Sequence, residues 1–174
     1  MKKEIDIPDE VEVTQSLDDF TFEGPNGTVE RTFTYPGVTA TLEDGAVVFE
    51  TESERRKQRA TVGTFESQTE NAFRGVTDGF EYEMKVLYSH FPMQVEVKGD
   101  TVEVRNFLGE KHPRETAIVG DTEVDVQDEE LVVRGPDKDD AGQTAANIEQ
   151  VTYENDKDVR VFQDGIYITA KPEV

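Results

Sequence analysis

The chain contains no cysteine, so neither a disulfide nor a thiolate metal site can form within it. Histidine is scarce as well. His90 and His112 alone cannot build a multi-histidine zinc site. No apolar run approaches the ~20 residues that cross a bilayer. The opening MKKEIDIPDE lacks the apolar core of a secretion signal. A soluble, cytoplasmic protein with no membrane partner is expected. Enzyme signatures are missing too: there is no Gly-x-Ser-x-Gly elbow, no P-loop and no dinucleotide fingerprint. Asp137-Lys138-Asp139-Asp140 lacks the spacing and the glycine of a calcium loop. No cofactor and no metal are expected. Positive charge is also in short supply, with 18 Lys and Arg against 39 Asp and Glu and a net charge of -21. Such a balance argues at first sight against nucleic acid, and DNA is not expected as a partner.

The acids that are present run through both halves and do not collect in a tail. Dispersed acidity of this kind fits the proteins of salt-accumulating halophiles. At ~1 M salt the Debye length is only ~3 Å, so self-repulsion is screened and net charge stops guiding partner choice. The competing reading is an acidic interaction module for a basic protein. A paired-carboxylate hydrolase is a third class, but nothing selects one pair among so many acids.

Apolar residues are lean at 34% of the 174, yet they recur at regular spacing, which argues against disorder. In the first half, strands are predicted around Val11–Val13, Phe20–Phe22, Val29–Tyr35, Val38–Leu42 and Ala46–Glu50. Thr51-Glu52-Ser53-Glu54 fits a capping box. Val62, Phe65, Thr69, Ala72, Phe73 and Val76 then follow at helical spacing, with Gly75 or Gly79 as the stop. A strand over Tyr82–Tyr88 comes next. The second half predicts strands at Met93–Val97, Val102–Asn106, Glu115–Ile118, Val124–Val126 and Leu131–Arg134. A helix over Asp139–Thr152 is followed by a hairpin of Val159–Phe162 with Ile166–Thr169, turning at Asp164-Gly165.

The halves can be laid over each other. Val48-Phe49-Glu50 falls on Val132-Val133-Arg134, and Gly63-Thr64-Phe65 on Gly142-Gln143-Thr144. The expected fold is α+β: two tandem copies of a small domain, each an antiparallel β-sheet packed on one α-helix. The copies are placed at residues 1–80 and 81–174, and each is thin enough that mutual support is expected.

The second helix has a small outer face. Ala141, Ala145, Ile148 and Thr152 can face the sheet, while Gly142, Gln143 and Ala146 lie beside or away from it. Close packing on the sheet and close approach of an RNA backbone both account for Gly142. Few cations exist to place. Lys111 and Arg114 sit in a Gly109-to-Pro113 turn, Lys138 precedes the second helix, and Lys157 and Arg160 follow it. Phosphate contacts need such cations together with small polar groups, which Gly142, Gln143, Thr144 and Asn147 supply. Arg55, Arg56, Lys57 and Arg59 form a separate cluster in the first half. His90 reads as a linker histidine, since no triad partner lies near it.

Four segments carry a family resemblance. They are Ile5-Asp6-Ile7-Pro8 with Val11; Tyr88-Ser89-His90-Phe91-Pro92; Val104-Arg105-Asn106-Phe107-Leu108-Gly109-Glu110-Lys111; and Gly142-Gln143-Thr144-Ala145-Ala146 with Asn155-Asp156-Lys157-Asp158 and Phe162-Gln163-Asp164-Gly165-Ile166-Tyr167. In order and over nearly the whole length, the chain resembles the sixth large-subunit ribosomal protein in its archaeal and eukaryotic form. The resemblance implies two similar domains and a structural protein without catalysis. It implies binding of large-subunit (23S) rRNA, chiefly through the second domain, near the sarcin-ricin loop and the base of the factor-binding stalk. Stalk-base ribosomal proteins and translation factors would be its neighbours. Positions matching RNA-facing segments are Lys111, Arg114, Lys138, Gly142, Gln143, Thr144, Asn147, Lys157 and Arg160. The chain departs from the family at Glu115 and at Tyr153-Glu154, where members are often more basic.

Overall fold

The computed structural model describes residues 1–173 and divides into two compact units. The first comprises Met1–Gly79 together with Pro136–Lys138; the second comprises Phe80–Gly135 and the described residues from Asp139 on.

In the first unit, β1 (Lys2–Asp6), β2 (Glu12–Ser16), β3 (Asp19–Gly24), β4 (Gly27–Thr32), β5 (Thr39–Glu43) and β6 (Ala46–Glu50) precede one helix, α1 (Arg56–Thr77). They form two antiparallel sheets, in the orders β1-β6-β5 and β2-β3-β4. On β3 alternation buries Phe20 and Phe22, while β6 buries Val47, Val48 and Phe49 in succession. The helix buries Val62, Phe65, Thr69, Ala72, Phe73, Gly75 and Val76. The core between them is aromatic. Phe33 stands at its centre, with ring centroids 5.2 Å from Phe20, 4.9 Å from Phe49 and 5.0 Å from Phe65.

The second unit repeats the plan. β7 (Phe80–Leu87), β8 (Gln94–Lys98), β9 (Thr101–Arg105), β10 (Arg114–Ala117), β11 (Glu123–Gln127) and β12 (Glu130–Gly135) lead to α2 (Lys138–Val151), and β13 (Gly165–Ala170) follows. The sheet orders are β11-β12-β7-β13 and β10-β9-β8. Apart from β13, this is the order of the first unit strand for strand. The helices correspond as well. Laid together on Gly63 and Gly142, the buried Val62, Phe65, Thr69 and Phe73 fall on the buried Ala141, Thr144, Ile148 and Thr152. The fold is therefore the expected α+β tandem of helix-on-sheet copies.

One strand, β1, is not among the predicted ones, and four local expectations are overturned. β1 carries no clear alternation, because only Ile5 in it is buried, yet it pairs along its length with β6. Thr51 does not cap α1. Its hydroxyl donates to the Gly37 carbonyl at 2.6 Å and accepts from the Ser53 N–H, and the helix starts later, at Arg56. The strand expected to reach Tyr35 stops at Thr32. No strand forms over Val159–Phe162. The Asp158 carbonyl accepts the Val161 and Phe162 N–H groups there, which closes a turn. Asp164-Gly165 is accordingly not a hairpin turn. Gly165 opens β13 opposite Leu87 on β7. At φ +154, with the Thr152 hydroxyl 3.2 Å from where a Cβ would stand, that position suits only glycine.

Candidate nucleic-acid interface

The candidate residues of the second unit depend on how α2 is seated. Its first turn carries Asp139 and Asp140, acids at the positive end of the helix dipole. Ala141, Thr144, Ala145 and Ile148 are buried against the sheet, as the spacing of the alanines and the isoleucine requires. Thr144 is 0% exposed. Its hydroxyl donates to the Asp140 carbonyl at 2.8 Å and accepts from the Val119 N–H at 3.0 Å. Both capacities are used inside the protein, so the expected phosphate contact by Thr144 gives way to a structural role: it ties the loop after β10 to α2.

Gly142 has a comparable explanation. A Cβ there would stand 2.8 Å from the Tyr82 hydroxyl oxygen. The glycine makes room for this phenol, whose pKa is raised by burial and by nearby Asp139. Helix–sheet packing thus accounts for the glycine. An energetic test follows. Gly142→Ala should gain roughly 0.5–1 kcal/mol from helix propensity when combined with Tyr82→Phe. In the native background the displaced hydroxyl should cancel or reverse that gain. Denaturant midpoints of the four proteins measure the difference, and equal gains in both backgrounds would contradict the packing role.

On the outer side of α2, the Gln143 amide donates to Asn147 Oδ1 at 2.8 Å, and Asn147 Nδ2 donates to the Ala117 carbonyl of β10 at 3.3 Å. Gln143 is exposed and Asn147 half-buried. Beside them runs the turn that leads into β10. Asn106 and Leu108 adopt left-handed backbone there, at φ 60 and 56. The Asn106 amide bonds the Pro92 carbonyl at 3.0 Å, and Phe107 fills the core. Lys111 at the tip of the turn is exposed.

Arg114 is committed inward. It forks onto Glu110 at 2.6 and 3.0 Å, reaches Glu154 at 3.1 Å and donates to the Val151 carbonyl at 3.0 Å. Its guanidinium carbon also lies 4.6 Å from the centroid of the Phe107 ring. Hydrogen bonding to Glu110 raises its pKa, and the same bond holds Glu110 below the ordinary carboxylate range. Arg114 therefore clamps the end of α2 to the turn, with two carboxylates meeting its charge. An RNA contact by Arg114, as expected from the resemblance, would have to share it with these partners.

After α2 the chain runs through residues 152–164 without regular structure. Tyr153 is 62% exposed, Val159 61% and Val161 87%. Few large apolar side chains of this acidic chain are so open, and three of them share one loop. Lys157 lies with its ammonium 5.5 Å from the Phe162 ring centroid. Arg160 forks onto Asp158, which holds Asp158 below its usual range. A cleft of about 180 Å³ opens beside the loop, among Tyr153, Lys157, Phe162 and Tyr167. The strand-like pattern of Val159–Phe162 conceals this exposed aromatic and aliphatic surface in the sequence. The turn-forming run Asn155-Asp156-Lys157-Asp158 was the signal against that strand. Lys138 stands apart from the group. It is half-buried, and its backbone groups with the first unit.

The second unit thus carries a turn bearing exposed Lys111, an amide pair on the helix, and a loop with Lys157, Arg160 and the exposed Tyr153 ring. A family model described as Ribosomal protein L6 matches residues 7–79 and 91–165, one match on each unit. The chain belongs to the ribosomal protein L6 family. Among curated proteins it is 58% identical to the large ribosomal subunit protein uL6 of Natronomonas pharaonis, over 99% of this chain and 98% of that protein. The uL6 of Haloarcula marismortui is 55% identical over 97% and 95%, and that of Methanosarcina mazei 54% over 96% and 95%. L6 membership makes this a ribosomal protein of the large subunit, a structural and non-enzymatic class. The halophilic relatives also agree with the reading of the acidity as a response to solvent. Several of the cations of this L6 protein are paired with the chain's own acids, Arg114 with Glu110 and Glu154 and Arg160 with Asp158 among them.

Proposed function

We propose that the chain binds large-subunit rRNA chiefly through its second unit, near the sarcin-ricin loop and the base of the factor-binding stalk. Stalk-base ribosomal proteins and translation factors are its neighbours in this reading. The observation that carries it is the 152–164 loop. Lys157 and Arg160 stand there among exposed Tyr153, Val159 and Val161, a pairing of cations with one open ring and apolar surface that suits phosphates and unstacked bases. Lys111, Lys157 and the Gln143–Asn147 pair make the outward contacts. Arg160 contributes after exchanging Asp158 for a phosphate. Gly142, Thr144 and Arg114 hold the surface in shape, and Lys138 contributes at the helix start.

So few phosphate contacts predict a shallow salt dependence. Each neutralised phosphate adds roughly 0.7 to the slope of log affinity on log salt for single strands and roughly 0.9 for B-form duplex. Titrating the full chain against a large-subunit rRNA fragment should give a slope well below that of a basic homologue. An equally steep slope contradicts the reading.

A further inference from the structure

The first unit carries a basic surface of its own. Arg55, Arg56, Lys57 and Arg59 stand at the entry to α1, all exposed. Three other cations of the unit are paired: Lys2 with Glu4, Lys3 with Glu66 and Arg31 with Asp137. The four clustered ones have no ion-pair partner among the described residues. Their position also runs against local electrostatics. The start of a helix favours acids and disfavours cations, yet the first turn of α1 holds no acid and Arg55 supplies no side-chain cap. A chain with 39 Asp and Glu has ample means to avoid this. Four uncompensated cations together on a salt-adapted surface mark a place where an external anion belongs.

We infer that the Arg55–Arg59 surface holds the phosphate backbone of an RNA strand, as a second contact separate from the loop of the second unit. The inference rests on the rRNA reading above. Guanidinium forks match phosphate oxygens in pairs and are weakly hydrated, so they act at contact distance even where salt screens longer range. Arg56 and Arg59, three apart inside α1, share a helix face. An open cleft of about 450 Å³ lies just before the cluster in sequence, lined by Gly37, Val38, Thr39, Thr51 and Ser53 together with the carboxylates Glu50 and Glu52, so a phosphate is held by the cations outside it and only the sugar has space there. The Gln58 side chain of the first turn reaches Gly37 at its edge.

The test replaces Arg55, Arg56, Lys57 and Arg59 with glutamine in the full chain and titrates binding to intact large-subunit rRNA at graded salt. The folded chain should melt no lower than the native one, since the helix start is relieved of cations. Affinity should fall about tenfold or more. The salt slope should become shallower by roughly 0.7–0.9 for each phosphate that is no longer neutralised. The nucleotides left unprotected should differ from those released by Lys157→Glu. Native affinity and slope in the fourfold variant, alongside weakened binding by Lys157→Glu, would overturn the inference and leave the rRNA reading standing. Crosslinks from position 56 that reach only a protein in assembled subunits would also overturn it. Failure of the native chain to bind rRNA would remove both.

Discussion

Phe33→Ala should destabilise the first unit by about 3–5 kcal/mol, the cost of deleting a large ring from a packed core. The ring is 2% exposed and meets Phe20, Phe49 and Phe65 at close centroid distances, with Phe22 at 6.4 Å. Removing it empties the centre of the cluster and strips an edge-to-face partner from Phe22 and Phe49, each such pair worth a further ~0.5–1.5 kcal/mol. Set against the ~5–15 kcal/mol stability of an ordinary domain, that loss is large. The second unit has its own core, built from Met84, Val102, Val104, Leu131, Ile148 and Ile166 among others. Hydrogen exchange in molar salt should therefore show protection lost first from β3, β6 and α1, and kept on β7 and β12. A destabilisation below ~1 kcal/mol would contradict the account of this core.

The second large effect concerns the loop. Lys157→Glu combined with Arg160→Glu should weaken rRNA binding roughly a hundredfold or more, because like charges forced together in an interface cost several kcal/mol. Stability should hardly move. Arg160 is 86% exposed in its side chain, and Lys157 touches only the edge of the fold at Phe162. Exposed ion pairs such as Asp158–Arg160 contribute little to folding. The readout is a drop in affinity at constant melting temperature. Unchanged affinity would remove the loop from the interface, whereas a parallel drop in melting temperature would mean that the loop serves the fold.

Much of this was legible in the residues. Apolar alternation gave most strands to within a residue or two, and the helix of Val62, Phe65, Thr69 and Val76 was plain in its spacing. The repeat was visible because corresponding strands kept their order even where their residues diverged. What escaped has physical reasons. β1 is an edge strand with one buried side chain, too little to show a period. Thr51 has the composition of a cap, but the Gly37 carbonyl, distant in sequence, claims its hydroxyl. Val159 and Val161 alternate like a strand, and only the absence of a partner edge shows that they point outward. At the candidate site, residue type indicated chemistry and not commitment. Thr144 and Arg114 are the right kinds of group for phosphate, yet both are engaged by carbonyls, carboxylates or an N–H of the chain itself.

In the proposed function the second unit meets rRNA with its 152–164 loop. A photoreactive side chain placed at Val161, in the full chain assembled into large subunits at molar salt, tests it most directly. The expected result is a crosslink to rRNA close to the sarcin-ricin loop. A crosslink only to protein, or none while the chain still sediments with the subunit, would contradict it.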